Sequence, residues 1–167
     1  MSKFEHVGLD AIDFQILKEL SADGRISDVL LAEKISLSST AVARRRKILE
    51  DRGAVRSYSA DLNLPMLGFS VGVFVAIELS SQAEGVLNEF EREVVKCPSV
   101  SYCGFVSGDT DFLIMLNVES FEDYDRVYRR ELSKLPHVSR IRSSFVIREV
   151  THRTTPPIVF GDVDSGR

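Results

Sequence analysis

Two stretches of the chain carry residues whose types and spacing suit chemistry. The first is FVSGDTDFLIM, residues 105–115, where Asp109 and Asp111 stand in a polar break between two apolar runs. Gly108 accepts a positive φ and Asp109 tolerates a turn, so this break joins two antiparallel strands at little cost. A turn alone explains Gly108 fully, Asp109 less well and Asp111 hardly at all, because aspartate disfavours strands. Exposed turn amides also suit a carboxylate, and an aspartate suits an ammonium group. Ser107, Gly108, Asp109, Thr110 and Asp111 therefore form a candidate effector cleft, with Ser143 and Ser144 of the last strand as further members. Plain turn and effector cleft both remain open from these residues.

The second stretch is STAVARRRKILEDRG, residues 39–53. On a helix advancing about 100° per residue, Val42 and Leu49 share one face. Thr40, Arg44 and Lys47 fall opposite, Ala43 lies at the edge of that outer face, and Arg45 and Arg46 flank the apolar stripe. Small polar groups followed by cations suit a helix in a major groove. Residues 38–58 hold six basic and two acidic residues, a local charge of +4, whereas the whole chain carries −4. The positive charge is thus focused on one element, and phosphates respond to the local field. Ser39, Thr40, Ala43, Arg44, Arg45 and Lys47 are the candidate DNA contacts, with Arg56 as a candidate phosphate contact. The stem of Arg45 also suits packing over the core edge.

Other chemistries find little support. Cys97 and Cys103 are too few for a disulfide framework or a four-ligand zinc site, and His6, His137 and His152 are scattered. A metal at Asp109 and Asp111 needs oxygen ligands that the sequence does not offer. No catalytic group, metal or cofactor is expected. The start MSKFEHVGLD lacks an apolar signal core, and the apolar stretch 67–79 is too short to span a bilayer, so a cytoplasmic protein without membrane contact is expected.

The elements that position these residues are legible in outline. Leu9, Ile12, Ile16, Leu17 and Leu20 recur at helical spacing, and Asp23-Gly24 ends that helix. Ser27 caps a shorter helix with Leu31 and Ile35 inward, and Ser38 or Ser39 caps the cationic one, which Gly53 ends. Together these make a helix-turn-helix. The alternation over 54–60 predicts a small wing strand, and Asn63, Pro65 and Gly68 mark a hinge.

The second half is built twice. K-x-P-x-V-S occurs at 96–101 and at 134–139, each time after an amphipathic helix and before a strand. Val71, Val73, Val75, Ile77 and Leu79 alternate before the first helix, and Phe112, Ile114, Leu116 and Val118 before the second. The order βαββαβ predicts a ferredoxin-like sheet with both helices on one face. On the other face Phe74, Ala76, Val146 and Val150 alternate with Glu78, Ser144 and Arg148. A half-apolar face suits a second copy of the chain. The fold class expected is α+β: residues 1–60 a winged helix-turn-helix, 61–69 a hinge, 70–153 a ferredoxin-like effector and oligomerisation domain, and 154–167 a tail.

The run LDAIDFQILKELSADGRISDVLLAEKISLSSTAVARRRKILEDRGAV, the hinge and SGDTDFLI together resemble the Lrp/AsnC (leucine-responsive, feast/famine) transcription regulators, over about residues 9–150. The resemblance implies binding of double-stranded DNA through a winged helix-turn-helix, a homodimer formed by the ferredoxin-like domain, often assembled into octamers, and an amino-acid effector near the turn at Gly108 and Asp109. The chain departs from the family pattern at Ser36, where glycine is usual in the turn, near Ser39, where a proline is frequent, and at Ile48, where an arginine is usual. Two alternatives stand beside the regulator. One is an enzyme like the tetrapyrrole-modifying decarboxylases of similar architecture, and the other is a ligand-binding module without DNA contact.

Overall fold

The computed structural model describes residues 8–161, so His6, the first residues of the DNA-binding segment and the end of the tail lie outside the described residues. The chain forms two compact units: residues up to Asp61 together with those from Thr151, and Leu62–Val150.

In the first unit, α1 (Ala11–Ala22), α2 (Asp28–Ile35) and α3 (Ser39–Asp51) begin on side-chain caps. Asp10 and Asp13 satisfy each other's backbone N–H groups at 3.1 and 2.8 Å, a reciprocal capping box. Ser27 caps α2 through the Leu30 N–H, and Ser38 caps α3 through the Ala41 N–H. Ile16, Leu20, Leu31, Val42 and Leu49 meet in one core, with Ile35 at its margin. Between α2 and α3 the chain reverses through Ser36, at φ 57° and ψ 45°. Ser36 and His137 are the two non-glycine residues with positive φ among the described residues.

The strand expected over residues 54–60 does not form. Alternation supplies a strand only where another strand offers a ladder, and this unit has none among its described residues. Val55 packs on the core instead, and the Tyr58 hydroxyl donates to Glu50 at 2.7 Å. A short 3₁₀ turn, Pro157–Phe160, lies beside α1 in the same unit.

In the second unit, β1 (Val71–Leu79), α4 (Glu84–Val94), β2 (Val100–Phe105), β3 (Phe112–Val118), α5 (Phe121–Arg130) and β4 (Val138–Phe145) follow the expected order. The sheet runs β2-β3-β1-β4, with all three pairings antiparallel. Val73, Val75 and Ile77 of β1 and Ile114 and Leu116 of β3 are fully buried with Phe90 of α4 and Leu132 after α5. On the opposite face Phe74 and Tyr102 are exposed. β4 ends at Phe145, earlier than the sequence alternation suggests, so Arg148 and Val150 lie beyond the sheet. The Val146 N–H extends the ladder by one bond, donating to Gly72 at 2.9 Å.

Candidate nucleic-acid interface and effector turn

The helical phase fixed by Val42 and Leu49 turns Ser39, Thr40, Arg44 and Lys47 to solvent and leaves Ala43 half-buried at their edge. Three consecutive arginines then take three different positions. The Arg44 guanidinium has no hydrogen bond or ion pair among the described residues. Arg45 is drawn sideways, with Nη1 2.8 Å from Asp10 Oδ2 and 2.7 Å from Asp13 Oδ1. Arg46 turns to the other flank, where it donates to the Ile26 carbonyl and to Asp28, each at 3.1 Å, and to the Tyr58 hydroxyl at 3.0 Å. Its guanidinium also stacks 4.9 Å from the centre of the Tyr58 ring.

Helical phase alone groups Arg45 with the groove contacts, but its partners favour the packing use. The bonds to Asp13 and Asp10 raise its pKa and hold it charged and fixed. Lys47 lies 3.3 Å from Asp51, but both side chains are mostly exposed, so the pair is cheap to break. Arg56 is exposed with no partner among the described residues. The node of Arg46, Glu50, Tyr58 and Asp28 escapes a reading of the sequence, where the i,i+4 spacing of Arg46 and Glu50 is the available signal.

At the β2–β3 connection the polar residues divide into two sets. Ser107, Gly108 and Asp109 point outward, and Gly108 has φ 118°. Thr110 and Asp111 turn inward to β1. The Thr110 hydroxyl donates to the Ile77 carbonyl at 2.7 Å, and the Asp111 N–H donates to the same oxygen at 2.9 Å. Asp111 is 6% exposed. Its Oδ2 accepts the Leu79 N–H at 2.7 Å, and its Oδ1 accepts from Gln82 Nε2 at 2.8 Å. Both carboxylate oxygens therefore serve the fold, which explains the aspartate at the head of a strand, whereas the Asp109 carboxylate makes no hydrogen bond or ion pair among the described residues. The Asp109 carbonyl accepts a long bond from Arg142, which also pairs with Glu78 at 2.6 Å.

Ser143 and Ser144 lie on opposite faces of β4, as strand alternation requires. Ser143 bonds the Tyr124 hydroxyl on the helix side, while Ser144 is exposed opposite Phe74. They do not join the turn as one group within the chain. No group of three or more His, Cys, Asp or Glu residues is arranged to hold a metal among the described residues.

A winged helix-turn-helix DNA-binding family matches residues 9–56, and the Lrp/AsnC ligand binding domain family matches residues 72–156. The leucine-responsive regulatory protein of Escherichia coli K12 is 39% identical over 142 residues, covering 85% of this chain and 87% of its own. The Bkd operon transcriptional regulator of Pseudomonas aeruginosa is 35% identical over 150 residues, covering 90% and 98%. Among solved structures, a Neisseria meningitidis transcriptional regulator in complex with L-Met superposes with a TM-score of 0.85 at 31% identity, covering 90% of this chain and 97% of its own. The feast or famine regulatory protein of M. tuberculosis, complexed with L-methionine, gives 0.80 at 28% identity, covering 89% and 98%.

Proposed function

The chain belongs to the Lrp/AsnC family of DNA-binding transcription regulators, and on that premise we propose how its own residues read DNA and sense a ligand. α3 enters the major groove with Thr40, Ala43, Arg44 and Lys47 toward the bases, while Ser39 and Arg56 meet phosphates. Arg45 holds α3 to the start of α1 and contributes by positioning. The observation that carries this reading is the Arg44 guanidinium, without a partner among the described residues, beside two internally bonded arginines: such a cation is available to a nucleic acid.

The open sheet face around Phe74 and Tyr102 pairs two copies, and a symmetric pair reads two half-sites about 34 Å apart. The effector is an amino acid, because two relatives of the same fold are complexes with L-methionine. Its carboxylate meets the exposed amides of Ser107 and Gly108, and its ammonium meets Asp109. Ligand changes transcription by binding one assembly or DNA-bound state more tightly than another. No helix among the described residues is long and apolar enough to cross a membrane, and the work proposed places the protein with cytoplasmic DNA. The family is one of regulators, which sets aside the decarboxylase alternative, and the match over 9–56 sets aside a module without DNA contact.

Fluorescence anisotropy on the protein's own upstream DNA, repeated over a salt series, tests the interface. Arg44→Ala and Lys47→Ala each weaken binding, and Arg56→Ala, which leaves one phosphate unneutralised, lowers the slope of log K against log salt by about 1. Undiminished, salt-insensitive binding by the double variant discards the assignment.

A further inference from the structure

Within the second unit, a groove of about 550 Å³ runs beside α5, away from the Ser107–Asp109 turn and lined by none of its residues. Small-molecule sites span about 300–1,000 Å³, so this volume suits a compact ligand. Its walls are apolar where Leu64, Phe69, Val100 and Val127 face it. Two charged groups of opposite sign line it without partners of their own. The Glu119 carboxylate and the Arg130 guanidinium make no hydrogen bond or ion pair among the described residues. Asn117 adds an amide whose Oδ1 already accepts from Ser101 at 3.4 Å and whose amino group has no partner among them.

The other charges in the groove are already paired. Asp123 bonds Arg126, and Glu131 accepts both the N–H and the hydroxyl of Ser99, at 3.3 and 2.9 Å. The unanswered charges are therefore Glu119, just before α5, and Arg130, its last residue. α5 has 10 residues, and a helix of that length is about 15 Å long. The two charges of a free α-amino acid lie within about 4 Å of each other and would answer both groups only with the Glu and Arg side chains stretched fully toward one another. An extended tripeptide separates its terminal charges by about 10 Å, and the Glu and Arg side chains cover the remainder.

We propose that this groove binds a short zwitterionic peptide with apolar side chains, its ammonium at Glu119 and its carboxylate at Arg130. The site is separate from the amino-acid turn and does not depend on that reading. Asn117, also in the lining, supplies a donor for a peptide carbonyl. Leu64, Phe69, Val100 and Val127 cover the side chains, which favours leucine-like residues over polar ones.

Calorimetric titration of the full chain with trileucine tests the site, beside N-acetyl-trileucine, which lacks the ammonium, and trileucine amide, which lacks the carboxylate. Each capped peptide binds about tenfold more weakly, the value of one charged hydrogen bond. Glu119→Gln removes the preference for the free ammonium and keeps that for the carboxylate. Arg130→Gln does the reverse. Both variants retain the parent's thermal midpoint, since neither group has a partner to lose among the described residues. Saturating L-methionine does not displace trileucine. The proposal is overturned by any of three results: no trileucine binding, equal affinity for all three peptides, or displacement by L-methionine. A crystal structure with a second copy of the chain filling the groove overturns it as well.

Discussion

Arg45 Nη1 lies 2.7 Å from Asp13 Oδ1 and 2.8 Å from Asp10 Oδ2, so the middle arginine of α3 closes on the two acids that cap α1. α3 is thereby tied to the first helix through the groups that start it. Arg45→Met keeps the stem and removes the bonds. A charged hydrogen bond contributes about 1.5–3 kcal/mol before solvent screening, and these side chains are partly exposed, so a loss of about 1–2 kcal/mol is expected. Urea unfolding of the variant measures it.

The same ion pair carries a pH signature. Desolvation, the largest influence on Asp10, pushes its pKa up, but hydrogen bonds from the Asp13 N–H and from Arg45 together outweigh it, and the net shift is downward. A carboxyl with a depressed folded pKa contributes stability above its unfolded value, about 3.9, and loses it as pH falls through the lower folded value. Wild type should therefore lose stability more steeply than Arg45→Met below about pH 4. Parallel acid profiles for the two proteins would remove the ion pair from this account.

Ser36 sits in the left-handed region between α2 and α3, where the Lrp/AsnC pattern usually places glycine. An L-residue there costs about 1–2 kcal/mol, part of which glycine returns as extra freedom in the unfolded chain. Ser36→Gly should raise stability by about 0.5–1 kcal/mol and leave DNA affinity unchanged. A thermal midpoint equal to or below the parent's contradicts this.

Much of this molecule is legible because its signals are local. Val73, Val75 and Ile77 alternate over adjacent positions and are buried. The Ser27 and Ser38 caps lie three residues from the N–H groups they satisfy. What resists reading is set by distant partners. Arg45 meets acids 35 and 32 positions away, and Asp111 meets Leu79 and Gln82 at separations of 32 and 29. Helical phase places Arg45 beside the outer face but says nothing of the acids waiting there. Alternation over 54–60 misleads for the complementary reason: the pattern is local, while the partner strand it requires is not.

Cys103 is a second case where burial overrules sequence. Burial, and then the charges of Glu91 and Cys97, push its thiol up to about 11, and burial pushes the Cys97 thiol up as well. Against an ordinary thiol value of 9.0, Cys103 holds about a hundredfold less thiolate at pH 8. Iodoacetamide at pH 8 should label Cys103 at least that much more slowly in the native protein than in urea. Rapid native labelling would show that the edge strand β2 opens.

Asp111 decides between scaffold and ligand most sharply, because two substitutions separate the roles. Its carboxylate accepts the buried Leu79 N–H at 2.7 Å and Gln82 Nε2 at 2.8 Å, which ties the β2–β3 turn to the end of β1. Asp111→Ala leaves two donors unanswered, one of them buried main chain, and should cost about 2–4 kcal/mol in urea unfolding. Asp111→Asn keeps an oxygen for Leu79, and Gln82 can turn its amide to accept from the new amino group. The bonds become neutral ones, so the cost falls to about 1 kcal/mol. L-methionine affinity discriminates further. A scaffold residue whose bonds are largely restored keeps ligand binding within a few-fold of wild type. A carboxylate that meets the ligand ammonium loses that interaction with its charge. Asparagine at position 111 with near-native stability and abolished methionine binding would return Asp111 to the effector set.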